Sequence, residues 1–222
     1  SSIEIAYASA KSLLELIGDI LDIARIESGR LSLSPKRANL RELVESVALV
    51  TEDRKGEGLL LDQSISANLA LGNLPALARH GVIDRRREEA LARRQVEALR
   101  VRCADIAQAV GELSGGNQQK VVIGRWLERD CQVLLFDEPT RGIDVGAKFD
   151  IYALLAELTR RGKALVVVSS DLRELMLVCD RIGVLSAGRL VDTFERDAWT
   201  QDALLAAAFA GYKKRDALLA TS

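Results

Sequence analysis

Residues 113–120 read LSGGNQQK and residues 133–139 read VLLFDEP, and together these two stretches decide the fold. Gly115 and Gly116 stand directly ahead of a helical pattern carrying Val121, Val122, Trp126 and Leu127. Two glycines there leave backbone N–H groups unshielded, and the helix dipole adds positive potential, so an anionic phosphate can be held at that end. A lone Ser-Gly-Gly reads as a glycine turn and helix cap. Here it is followed by an apolar run fit for a buried strand, and that strand ends in two carboxylates, Asp137 and Glu138. Such a pair is expensive to leave unpaired beside apolar residues, and a divalent ion with an attacking water is the usual reason for it.

The sequence on the carboxyl side keeps alternating helix and strand. Residues 146–161 carry Ile151, Leu154, Leu155 and Leu158 on one helical face, and residues 164–168 read as a buried strand. Ser169, Ser170 and Asp171 then open a helix with Asp171 or Ser170 as its cap. Residues 181–185 and 189–194 flank Ala-Gly and predict a hairpin, and residues 203–210 a small closing helix.

Upstream, Val47–Val50 can be read in two ways. With Leu40, Leu43 and Val44 these residues extend a helical stripe; alone they are an apolar run fit for a buried strand. Residues 52–74 predict strand, turn and a Ser-capped helix start, and the arginine-rich helical stretch 84–102 a solvated face. Over residues 3–24 the apolar positions Ile3, Tyr7, Ala10, Leu13, Leu14, Ile17, Ile20, Leu21 and Ala24 recur at helical spacing. Gly29 would stop that helix, Leu31 and Leu33 alternate with serines as a short strand, and Asn39 with Glu42 forms a capping box for a second helix.

Composition narrows the function classes. The 222 residues are 48% hydrophobic, enough for one compact core or two small ones, and 31 basic against 32 acidic residues leave a net charge of -1. That balance gives no reason to expect a nucleic-acid or anionic-lipid partner. No apolar run approaches the roughly 18 residues that span a bilayer and no leader opens the chain, so a soluble protein is expected. Cys103, Cys131 and Cys179 lie far apart without metal-ligand spacing and read as reduced, mostly buried thiols. His80, the sole histidine, reads as an ordinary surface or loop residue, and Met176, the sole methionine, suggests a fragment, a processed form or an engineered product.

With DEPTRGIDVGAK at 137–148 and VVSSDL at 167–172, these motifs resemble the ATP-binding cassette (ABC) family, and in wording the second nucleotide-binding domain of a monosaccharide (ribose-type) importer ATPase. The resemblance covers about 47–222. It implies an α/β, P-loop-NTPase-like core with a parallel-rich sheet, the strand before Asp137 near its centre, a helical subdomain over about 58–127, and the remaining motifs over 128–222. It further implies that Leu113, Ser114, Gly115, Gly116 and Gln118 form a signature loop contacting the γ-phosphate of ATP held by an opposing domain. Asp137 would support Mg2+ through water, Glu138 would polarise the attacking water, and Arg141, Gly142, Ile143 and Asp144 would cross the domain interface. The implied partners are another nucleotide-binding domain with an intact Walker A loop and membrane permease subunits, at the cytoplasmic face of the membrane.

Three departures from the family bear on activity. No G-x-x-x-x-G-K-[ST] occurs; the only Gly-Lys pair, Gly162-Lys163, precedes Ala164. Without that cradle the largest share of nucleotide affinity is missing, so the chain alone should hydrolyse ATP little or not at all. The switch position, histidine in most of the family, is Ser170, and Glu52 stands where a magnesium-contacting glutamine is usual. The expectation is a cassette that lends its signature and carboxylate motifs to a composite site. Residues 1–46, with SAKSLLELIGDILDIARIESGRLSLSPKRANLRELVESV, resemble instead the second dimerisation helix and catalytic-domain start of a hybrid sensor histidine kinase. That resemblance implies self-pairing through the helix as an alternative function, or a fusion without function.

Overall fold

The computed structural model describes residues 46–129 and 131–219, with side chains as far as residue 211. The kinase-like helices and the capping box at Asn39 lie outside the described residues. The described chain falls into two units, one of residues 46–182 with 195–197, the other of 183–194 with 198–219.

The first unit is organised by the run Val133–Asp137, which forms strand β4. Its Leu134, Leu135 and Phe136 are almost wholly buried, and each such side chain contributes roughly 1.5–3 kcal/mol of transfer free energy. An apolar run of this kind needs cover on both faces, which a parallel sheet provides. Val47–Val50 is strand β1, which settles the ambiguity of that stretch; it lies parallel to β4 with Val47 opposite Val133 and Val50 opposite Phe136. Ala164–Val168 is strand β5, parallel to β4 on the other side with Asp137 opposite Val168. The order β1-β4-β5 puts the carboxylate-bearing strand in the middle, as expected. Strand β5 is less buried than its sequence suggests, with Val168 48% exposed, because among the described residues its only neighbour in the sheet is β4.

Helices cover this sheet. Ile65–Ala70 (α1) is capped by Ser64, whose Oγ accepts from the Ala67 amide at 3.0 Å. After a short helix, Leu74–Leu77 (α2), the strands Ala78–Arg79 (β2) and Val82–Ile83 (β3) turn at His80 and Gly81, both with positive φ, and His80 is exposed there. Arg85–Ala98 (α3) packs on α1 through Leu91 and Ala92, while Arg86, Arg87, Arg93 and Arg94 face solvent. The expected solvated face is therefore one side of a half-buried helix. Gly115–Leu127 (α4), Val145–Arg160 (α5) and Leu172–Val178 (α6) complete this unit.

Two local expectations need correction. Residues 54–58 form a single π-helical turn rather than a strand, with Asp53 Oδ1 accepting from the Gly56 amide at 2.9 Å. An aspartate side chain bonded to its own downstream backbone, with Gly56 and Gly58 following, favours a turn over a ladder. Of the three cysteines only Cys131 is fully buried. Burial and Asp180 push the Cys179 thiol up to about 11, and burial and Asp105 raise Cys103, so neither is poised as a thiolate.

In the second unit, Arg181–Ser186 (β6) and Arg189–Glu195 (β7) make the predicted hairpin, turning on Ala187 and Gly188 at φ of 50° and 76°. The closing helix α7, Gln201–Leu219, is longer than expected. Ser186 joins the two elements, its Oγ donating to the Ala208 carbonyl and accepting from the Gly211 amide.

Candidate nucleotide site

The chemistry of the first unit sits on three loops at strand and helix ends. The loop before α4 holds Leu113 buried and Ser114 exposed. Ser114 stands at the N-cap position yet makes no side-chain cap to the helix; its Oγ accepts from Asn117 Nδ2 at 2.9 Å. The first N–H groups of a helix have no partner within it, so this end remains open to an external acceptor. Gly116 is buried against α5, and a Cβ there would lie 2.6 Å from that of Ala147, so no larger residue fits without separating the two helices.

Gln118 faces inward. It is 4% exposed and its Nε2 donates inward to the Leu113 carbonyl at 3.1 Å, propping the loop from below. Asn117, which the sequence reading passed over, holds the loop from the side: besides its bond to Ser114, its Oδ1 accepts from the Arg102 amide at 2.9 Å. Nothing in the motif marks this division of labour, which follows from which helix face is covered.

The second loop follows β4. Glu138 adopts a φ of 45°, a conformation that non-glycine residues seldom take and that is concentrated at functional sites. Its amide donates to the Val168 carbonyl at 2.9 Å, and its Oε1 accepts from the Ser170 amide at 2.7 Å. Ser170 thus meets Glu138 through its backbone, a contact that needs no particular side chain. Asp137 is held above the usual carboxylate range, first by burial and then by the neighbouring charges of Glu52 and Glu138.

The third loop, 51–58, brings Glu52 into an ion pair with Arg141 of the interface loop. Gly142 turns that loop at a φ of 66°, and Asp144 ends it by capping α5, its Oδ1 accepting from the Ala147 amide at 2.9 Å. Beneath the second loop a buried carboxylate, Glu174, accepts from Thr140 Oγ1 at 2.8 Å and from Ser169 Oγ at 2.6 Å. It ties the residue after Pro139 to the residue before Ser170. Arg54 and Glu174 organise the site without appearing in any short motif, and Thr140 and Ser169 do so from within motifs that gave them no role.

Among the described residues no group of three or more His, Cys, Asp or Glu side chains could hold a metal ion by itself. The crowding of Asp137 by Glu52 and Glu138 is of a kind that a cation would relieve. Magnesium, which keeps several waters and binds through one or two carboxylates plus substrate phosphates, fits that donor set.

Among the described residues, a three-stranded parallel sheet with the carboxylate pair at the end of its middle strand, flanked by an open helix start, has the arrangement of a P-loop-like α/β cassette fold. The ABC transporter family model matches residues 12–141, more than half of the chain, and the chain belongs to that family. The match begins well upstream of Val47, inside the stretch whose wording resembles a sensor kinase. The chain is 42% identical over 195 residues to the galactose/methyl galactoside import ATP-binding protein of Treponema pallidum, covering 86% of this chain and 39% of that protein. It is 48% identical over 166 residues to a ribose import ATP-binding protein of Streptomyces coelicolor, covering 75% of this chain and 32% of that protein. It therefore spans at most about two fifths of these relatives' lengths.

Two solved structures share the fold. A metal-chelate type ABC transporter in an inward-facing conformation superposes with a TM-score of 0.62 at 18% identity, covering 74% of this chain and 64% of that one. A dimeric ATP-binding cassette in a post-hydrolysis state, bound to ADP and Pi, gives 0.58 at 21% identity, covering 73% and 70%. No helix among the described residues is long and apolar enough to cross a membrane.

Proposed function

We propose that this chain is an ATP-binding cassette of a monosaccharide importer that completes a nucleotide site on an opposing cassette. The open start of α4 carries the reading. Ser114 and Gly115 stand at the positive end of a helix that no side chain caps, with Gly116 packed behind them, and the γ-phosphate of ATP held by the other domain is received there. Leu113 and Gln118 shape that loop from within. The relatives named as sugar import ATP-binding proteins support the substrate class, and the dimeric cassette supports the pairing.

On this chain's own side, Asp137 would support Mg2+ through water, and Glu138, fixed by the Ser170 amide, would orient an attacking water if a phosphate cradle were supplied. Magnesium there supplies charge neutralisation for the transferring phosphoryl group. The 222 residues contain no G-x-x-x-x-G-K-[ST] motif, the pattern that surrounds β- and γ-phosphates with backbone donors and a lysine. Turnover then depends on a partner domain with an intact Walker A loop. Arg141, Gly142 and Asp144 lie at the contact with that domain, and Glu52 lies where the family places a magnesium-contacting glutamine. Permease subunits complete the assembly, which sits at the cytoplasmic face of the membrane.

The test mixes the chain with a cassette carrying an intact phosphate loop. The expected outcome is Mg2+-dependent hydrolysis above that of the partner alone, lost on Gly116→Asp in this chain and kept on Glu138→Gln. Hydrolysis that disappears with Glu138→Gln would instead give this chain a working site of its own.

A further inference from the structure

We propose that Arg54 is a positioning residue whose guanidinium clamps the start of the signature helix and the interface loop to the loop that carries Glu52. The three surfaces are thereby presented to an opposing nucleotide as one piece. The proposal rests on the composite-site reading for its purpose, but the clamp itself is a property of this chain.

Arg54 Nη1 donates to the Gly115 carbonyl at 3.0 Å, and Nη2 donates to the Arg141 carbonyl at 3.2 Å. The acceptors are separated from it by 61 and 87 residues, so one planar group joins three distant segments. A Cβ added at Gly115 or at Gly142 would lie 3.5 Å from Nη2, in van der Waals contact, so the guanidinium nestles against both glycines. Arg141 closes the arrangement in the other direction: its carbonyl accepts from Arg54 while its own guanidinium pairs with Glu52. Residues 52–54 and 141 are thus stitched twice, once by side chain to backbone and once by side chain to side chain.

The chemistry explains why an arginine serves here. A guanidinium offers five donors in a fixed plane and stays charged when partly desolvated, whereas a lysine ammonium is a single point on a flexible stem. Arg54 is half-buried, which strengthens bonds to carbonyls by removing competing water. Its anchor is firm as well, since it opens the π-helical turn that Asp53 caps. Any displacement of the Glu52 loop is therefore passed to Gly115 and to Arg141 without an intervening flexible residue.

Hydrogen exchange on the full chain tests the clamp, comparing wild type with Arg54→Ala, Arg54→Lys and the exposed control Arg93→Ala. Arg54→Ala is expected to speed exchange at the Gln118, Arg141 and Ile143 amides about tenfold, the loss of roughly 1.4 kcal/mol, while leaving Leu134 to Phe136 unchanged. Arg54→Lys should loosen one loop and spare the other, and Arg93→Ala should change neither. Unchanged loop exchange in Arg54→Ala, or equal acceleration in β4, overturns the proposal; should that variant not fold, Arg54→Lys decides it by the same split.

With the partner cassette, Arg54→Ala is expected to raise the KM for ATP about tenfold while kcat stays within about twofold, because the clamp acts on binding geometry. A fall in kcat at constant KM contradicts the proposal. If the wild-type pair shows no turnover, the composite-site reading fails, and the exchange result still decides whether the clamp exists.

Discussion

Helices α4 and α5 pack side by side, and their first turns are finished in opposite ways. Asp144 closes α5 with a carboxylate on the Ala147 amide, as Asp84 closes α3 and Asp171 closes α6. Ser114 leaves α4 open, its hydroxyl turned aside to Asn117. A capped helix end has spent its donors on its own stability; an uncapped one retains them for an anion. The neighbouring pair thus separates what holds the fold from what is held ready for a ligand.

The largest effect is expected where the two helices touch. Gly116→Ala forces a methyl group to 2.6 Å from Ala147, and overpacking of this kind costs about 1–3 kcal/mol. A clear drop in thermal midpoint, together with lost partner-dependent turnover, is the expected result. Exchanging the two kinds of helix end is next. Asp144→Ala should cost about 1 kcal/mol in denaturant titration, whereas Ser114→Asp should add a few tenths of a kcal/mol while abolishing stimulation of the partner. Opposite signs for stability and function at Ser114 would sharpen the contrast; a Ser114→Asp chain that still stimulates hydrolysis would break it.

A smaller effect follows from the carboxylate pair. Because Asp137 has its pKa raised on folding, the folded state holds its proton more tightly, and its contribution to stability is fully present below the ordinary carboxylate pKa. That contribution is lost as pH rises through the folded value. Asp137→Asn should therefore flatten the decline in stability between the ordinary and the raised value, and be the more stable chain at neutral pH. Thermal scans across the acidic range check this. The smallest effect is at Ser170: Ser170→Ala keeps the amide that meets Glu138, so stability should change by less than about 0.5 kcal/mol and the Glu138 geometry should persist.

The sequence carried much of this arrangement because its determinants are local. The VLLF run, the Asp171 cap and the Ala-Gly hairpin turn each depend on neighbours within a few residues, and all appear where the pattern puts them. Val47–Val50 could not be assigned from its own apolar run, since only β4 lying beside it makes it a strand. The same limit hid Arg54 and Glu174. Their acceptors and donors lie far along the chain, and neither residue belongs to a motif whose chemistry announces it. Gln118 and Asn117 show a finer version of this limit. Adjacent residues of similar type take inward and sideward roles according to which helix face is covered.

The most direct test is calorimetric titration of Mg2+·ATP into the isolated chain. The account predicts no saturable heat up to millimolar nucleotide, because no G-x-x-x-x-G-K-[ST] occurs in these 222 residues. Stoichiometric binding with a micromolar Kd would contradict it and place a complete phosphate cradle within this chain.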